Sequence, residues 1–86
     1  MHSLEGKQAV ILGGTSGIGL AVAQNFISTG ANTLITGRRS EGEQIAEKIG
    51  AEYRRCDITH EEDVRLALSA IEETMGKIDI LVINAG

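Results

Sequence analysis

Apolar residues enter this chain in two rhythms. From Gln8 to Leu12 one polar residue is followed by Ala-Val-Ile-Leu, a short unbroken run that ends at Gly13. Such continuity predicts a strand buried on both faces, because neither side of its pleat can then meet water. Residues 32–36, apolar and β-branched, predict a second strand, and residues 78–83, interrupted by Asp79, predict a fourth that is apolar on both faces. Between these, Glu52–Arg55 is weak by propensity and reads as a strand mainly from its place between two helical patterns.

The other rhythm is three-and-four spacing. Over residues 16–29, Ile18, Val22 and Phe26 fall at successive i+4 positions, predicting a helix with those three as its apolar stripe and Gly30 as its stop. Residues 40–49 open with Ser40-x-x-Glu43, a capping-box pattern, and carry Ile45, Ala46 and Ile49 on one face before Gly50. Thr59 and Glu62 form a second such box. After it Val64, Ala67, Leu68, Ile71 and Met75 keep helical spacing up to Gly76. Strands alternating with helices imply right-handed βαβ crossovers, so the expected class is α/β with a parallel sheet, βαβαβαβ.

Composition narrows the function classes. With 86 residues, 42% apolar, 23% charged and a net charge of −4, the chain fits one small domain rather than a disordered acidic tail or a basic nucleic-acid module. Cys56 is the single cysteine, and neither His2 nor His60 stands at ligand spacing from it, so no metal site is expected. Cys56 reads as a small buried hydrophobe in a reducing, cytoplasmic setting. No apolar run approaches the ~20 residues that span a bilayer. Phe26 and Tyr53 are the only aromatics, too few for a base-stacking platform, so neither membrane nor nucleic acid is an expected partner.

The chemistry sits at the first strand-to-helix junction. Gly13-Gly14-Thr15-Ser16-Gly17-Ile18-Gly19 spaces its glycines G-x-x-x-G-x-G. There Gly13 permits the tight turn, Gly17 lets backbone approach a pyrophosphate, and Gly19 lets the helix pack close to the strand. The free N–H groups and the positive end of the helix dipole would face the anion. The bland alternative is a glycine turn without a ligand; a P-loop is excluded because no Gly-Lys-Ser/Thr follows. Dinucleotide sites usually place an acid at the end of the second strand to hold the ribose hydroxyls, but here Thr36-Gly37-Arg38-Arg39 stands there. A guanidinium suits a 2′-phosphate that a carboxylate would repel, so NADP(H) is expected over NAD(H), with Arg38 as the main contact and Arg39 sharing the phosphate or stacking on adenine. The alternative for both is a solvated basic turn.

Residues Gly13 to Gly19, with Asp57-Ile58 after the third strand and Asn84-Ala85-Gly86 after the fourth, together resemble the short-chain dehydrogenase/reductase family along essentially the whole chain. The resemblance implies a Rossmann-type fold with sheet order 3-2-1-4, in which residues 1–86 form the N-terminal part of one dinucleotide-binding domain. It further implies that Ser16 neighbours the adenosine phosphates and that the Ile18 backbone meets the pyrophosphate. Asp57 would bond the adenine amino group, Ile58 would line its pocket, and Asn84, Ala85 and Gly86 would run beside the ribose. Asp57 has a second reading, as a carboxylate at the start of the third helix near Thr59. Two positions depart from the family pattern: Leu12 stands where threonine is usual, and Ile83 where a first asparagine is usual. An apolar contact between these two residues on neighbouring strands is expected in place of a polar one.

The family's catalytic serine and Tyr-x-x-x-Lys pair have no match here. Tyr53, the only tyrosine, has Ile49 and Asp57 four residues to either side, so no lysine stands at that spacing. No catalytic residue is therefore assigned, and the chain reads as the NADP(H)-binding portion of an oxidoreductase acting on a carbonyl or secondary alcohol, inactive by itself. The alternatives are a non-catalytic dinucleotide-binding or redox-sensing module and a self-associating scaffold. Residues 78–83 would form an apolar sheet edge, which predicts homo-oligomerisation through that edge.

Overall fold

The computed structural model describes residues 3–84. Seven elements follow one another: β1 (Gln8–Leu12), α1 (Gly17–Ser28), β2 (Asn32–Gly37), α2 (Gly42–Ile49), β3 (Glu52–Arg55), α3 (Glu61–Met75) and β4 (Ile80–Ile83). The strands make one parallel sheet in the order β3-β2-β1-β4. The α/β class is that expected from the alternation of patterns, and the 3-2-1-4 order is the one the family resemblance implied.

The continuous apolar runs have the predicted cause. Val10, Leu12 and Leu34 face one side of the sheet and pack with Ile71 of α3, joined by Val64, Leu68 and Met75. Ile11 and Ile35 face the other side and pack with Ala23 of α1 and Ala46 of α2. Each central strand is covered on both faces, which removes the polar alternation that a half-exposed strand would show. The outer strands are less covered: β4 alternates half-buried and exposed residues, and β3 is exposed but for the half-buried Tyr53.

Four local expectations are corrected. Ile18 is not part of the α1 stripe. It is 76% exposed, because the residues buried against the sheet are Gly19 and Ala23, with Val22 and Phe26 beside them. Neither capping box forms. At α2 the backbone turns first, with Gly42 N–H donating to the Arg39 carbonyl and Glu43 N–H to the Ser40 carbonyl, so the helix begins at Gly42 and Ser40 Oγ turns to Glu41. At α3 the Thr59 hydroxyl is taken by Asp57, Glu62 pairs with Arg65, and His60 becomes the N-cap residue.

The fourth strand begins at Ile80, two residues later than its apolar pattern suggested. Asp79 precedes it: its Oδ2 accepts from the Gln8 N–H at 2.8 Å while its own N–H donates to the Gln8 carbonyl at 2.9 Å. Leu12 and Ile83 are register partners, as neighbours on β1 and β4 should be. Leu12 is fully buried while Ile83 is 62% exposed, so the pair is not enclosed in the core. β4 lies at the edge of the sheet, and α3 packs over β1 and β2 rather than over its far end.

Candidate functional site

At the end of β1 the chain must reverse into α1 within four residues, and Gly13 makes the reversal with φ +85°. A side chain is strained at that angle. It would also meet the Asn84 carbonyl oxygen at 2.5 Å. The turn is fastened from both neighbouring strands. The buried Thr36 at the end of β2 accepts the Gly13 N–H on its hydroxyl at 3.1 Å and the Gly14 N–H on its carbonyl at 3.0 Å. From beyond β4, Asn84 donates its backbone N–H to the Leu12 carbonyl at 2.9 Å and its side-chain amide to the Gly13 carbonyl at 3.1 Å.

Gly19, one turn into α1, rests on this fastening. A Cβ there would fall well inside contact distance of the Gly13 carbonyl oxygen and 2.8 Å from Asn84 Nδ2. Gly13 and Gly19 are therefore required by the protein's own packing. Gly17 differs: its φ is +57° and nothing lies within 4 Å of the place a Cβ would take. Space is kept there without a protein group to fill it.

The start of α1 is equally unoccupied by protein charge. Ser16, the N-cap, is extended and its side chain makes no capping hydrogen bond, and the first turn contains no acid. A helix N-terminus leaves up to four N–H donors and a partial positive charge to be satisfied. Together with the open position at Gly17, this leaves donors and a partial positive charge of the kind that an anion can satisfy.

Two clefts open along the same edge of the sheet. One, of about 550 Å³, brings together Gly13, Thr15, Ser16, Arg38, Ile58 and Asn84, joined by Gly37, Cys56 and Thr59. The second, of about 510 Å³, shares Thr15, Ser16 and Arg38 and adds Arg39, Glu41, Gly42, Ile45 and Tyr53. Arg38 thus stands on the ridge between them, and the second cleft carries two guanidiniums against one carboxylate. Gly17 and Ile18 lie on the exposed rim and Gly19 is buried behind the turn. Ala85 and Gly86 lie outside the described residues.

Asp57 is engaged at the start of α3. Its Oδ1 accepts the Thr59 N–H at 3.0 Å and the Thr59 hydroxyl at 2.6 Å, and Oδ2 lies 3.3 Å from His60 Nδ1. The Thr59 hydroxyl bond, then the Thr59 amide, with His60 and Arg38 adding positive charge nearby, hold the carboxyl below its ordinary pKa. Cys56 lines the cleft as a buried thiol whose pKa is pushed up by desolvation and then by Asp63 and Asp57. Among the described residues no group of three or more acids, histidines and cysteines could hold a metal ion.

Sequence reasoning missed Thr36 and Tyr53. The signal for Thr36 was a polar residue closing an otherwise apolar strand beside a glycine, a position where its hydroxyl can reach the next loop. Tyr53 carried no signal beyond being the only tyrosine.

The sequence pattern of the short chain dehydrogenase family matches residues 7–86. This chain belongs to the short-chain dehydrogenase family. It is 44% identical over 88 residues to zerumbone synthase of Zingiber zerumbet, covering 96% of this chain and 33% of that protein. It is 40% identical over 83 residues to L-fucose dehydrogenase of Oryctolagus cuniculus, covering 94% of this chain and 29% of that one. Among solved structures, the Pseudomonas aeruginosa RhlG/NADP active-site complex superposes with a TM-score of 0.91 at 32% identity, covering 99% of this chain and 36% of the other. A short-chain dehydrogenase/reductase from Mycobacterium marinum does so with 0.88 at 38% identity, covering 96% and 36%. This short-chain dehydrogenase chain spans about a third of the length of the relatives it matches.

Proposed function

We propose that this chain is the NADP(H)-binding portion of a short-chain dehydrogenase acting on a carbonyl or secondary alcohol. The observation that carries the reading is the N-terminus of α1, uncapped by any side chain and free of acids, opening beside Arg38 at the end of β2. In this reading the backbone at Gly17 and Ile18 receives the pyrophosphate, and Arg38, with Arg39 beside it, receives the 2′-phosphate. The adenine enters the cleft lined by Arg38, Cys56 and Ile58; Asp57, between the last two in sequence and held ionised, is assigned to its amino group by the family resemblance alone. The bound nicotinamide would supply or accept the hydride. The residues of this chain hold and orient the cofactor and move no proton, since the Tyr53 hydroxyl is committed to the Arg39 carbonyl.

Support for the family setting comes from relatives that are named dehydrogenases and from a solved neighbour described as an NADP complex. The unpaired thiol of Cys56 fits a reducing, cytoplasmic setting. Self-association through β4, whose Leu81 and Ile83 are exposed, belongs to the same proposal and would show as a dimer in sedimentation.

The test is calorimetric titration of the chain with NADPH and NADH. The expected result is tighter binding of NADPH by about tenfold, the worth of one charge-assisted hydrogen bond or more. Arg38→Asp should remove the preference; an unchanged ratio would overturn the assignment of the 2′-phosphate.

A further inference from the structure

Three consecutive carbonyls lead away from β2, and each is held by the neighbouring edge strand or its end. The Gly37 carbonyl accepts the Cys56 N–H at 2.8 Å, which is the last rung of the parallel ladder. The next two carbonyls have no rung available, because the chain leaves the sheet there. Side chains replace the rungs: Arg55 Nε donates to the Arg38 carbonyl at 2.8 Å, and the Tyr53 hydroxyl donates to the Arg39 carbonyl. Gly42 N–H reaches the same Arg39 oxygen at 3.1 Å, so the turn that begins α2 is tied into the arrangement.

The fit around Tyr53 is close. A Cβ on Gly42 would overlap the tyrosine ring, and one on Gly37 would lie 3.0 Å from its hydroxyl and 2.8 Å from Thr15 Cγ2. Both glycines sit at the walls of the second cleft or its neighbour. The ring is thereby wedged between the loop that carries the two arginines and the start of α2. Its hydroxyl stays a donor at ordinary pH, since desolvation raises its pKa above the usual tyrosine value.

We propose that Tyr53, assisted by Arg55, is a positioning residue for cofactor selectivity: by fixing the Arg38 and Arg39 carbonyls it sets where the two guanidiniums can meet a 2′-phosphate. The inference rests on the reading of Arg38 given above and adds what holds that residue in place. A guanidinium recognises phosphate through a planar fork of donors, so its effect depends on the backbone that aims it. A loop ordered before binding loses less freedom on binding than a mobile one. NADH lacks the 2′-phosphate and makes no use of that aim, so the strap acts on one cofactor and not on the other.

The experiment is titration of the full chain and of Tyr53→Phe, Arg55→Gln and Arg38→Asp with NADPH and with NADH, alongside amide exchange over residues 38–42. Tyr53→Phe keeps the ring against Gly42 and removes only the donor. The expected result is an NADPH preference reduced about fivefold, the effect of one net hydrogen bond, with NADH affinity held within about twofold and faster exchange at the loop. Arg55→Gln should move the ratio in the same direction by less. If the parent chain shows a preference that Arg38→Asp removes, and Tyr53→Phe retains it in full, the strap is overturned while the Arg38 reading stands. Equal loss of both cofactors in Tyr53→Phe also overturns it, because that marks a general structural role. A parent chain with no preference overturns both together.

Discussion

Leu12 and Arg55 each end a strand at the same edge of the sheet, and each is followed within a few residues by a helix, yet the two junctions are built from opposite chemistry. After Arg55 the protein supplies its own negative charge. Asp57 folds back on Thr59 and His60, and the first turn of α3 holds Glu61, Glu62 and Asp63. After Leu12 the chain uses glycine, leaves Ser16 without a capping bond and places no acid in the first turn of α1. Both helices present the same unsatisfied N–H groups and the same end of a dipole. Neither N-cap makes a side-chain hydrogen bond, but α3 sets three acids against its dipole in the first turn and α1 sets none.

The sharpest way to break this comparison is to close the open junction by force. Gly19→Ala drives a methyl group against the Gly13 carbonyl, a backbone group that cannot step aside. Unfolding stability should fall by about 1–3 kcal/mol, as for other overpacked sites, and NADPH binding should vanish from the titration. Retained binding would mean that the helix does not need to sit this close to the turn.

Ser16→Asp tests the same idea by imitation, giving α1 the acid that α3 already has. The helix should gain about 0.3–1 kcal/mol in urea unfolding from the dipole. NADPH affinity should drop by about tenfold or more, because the added carboxylate would repel a pyrophosphate at the helix start. Stability and affinity moving in opposite directions is the signature; movement together would dissolve the distinction between the junctions.

Gly17→Ala is milder. The left-handed backbone costs about 1 kcal/mol with a side chain present, and the methyl enters the space left open at the rim. Weaker NADPH binding with only this small stability loss is expected, and an affinity equal to the parent's would mean that the space is not used.

The smallest effect belongs to the closed junction. The folded-state pKa of Asp57 lies below its ordinary value, so its contribution to stability is complete above that ordinary value. The contribution is lost as pH falls through the lowered one. Asp57→Asn should flatten this acid limb in denaturation curves measured across pH 2 to 5, a window spanning the usual carboxylate range, and leave the neutral-pH NADPH-to-NADH ratio unchanged.

Much of the fold was legible because it follows from local pattern. β1 announced itself by an unbroken apolar run and β2 by an apolar and β-branched one, and those runs are the direct imprint of helices on both faces. The capping boxes were not legible, because a hydroxyl at the right spacing does not decide which partner it takes. Thr59 donates its hydroxyl to Asp57, and the helix starts one residue later with His60 as N-cap, so the spacing to Glu62 no longer fits a box. Ile18 kept helical spacing, but the face of α1 turned inward is that of Gly19 and Ala23, so spacing did not become burial.

The site divides along the same line. The glycine spacing and Arg38 could be read in order along the chain. Thr36 and Tyr53 act across the sheet, on Gly13 and Arg39 respectively, over separations of 23 and 14 residues that no local pattern encodes.

Asn84 carries this dependence furthest. Its side-chain amide meets the Gly13 carbonyl across 71 residues of chain, and its backbone extends the pairing of β4 with β1. During folding the glycine turn can form early from its own sequence, but it cannot be fastened from this side until the last strand has docked. Contacts of such long sequence separation are the slow ones, since the chain between must first be closed into a loop. A chain cut short before Asn84 would therefore carry the glycine motif without the two hydrogen bonds that fasten it from β4.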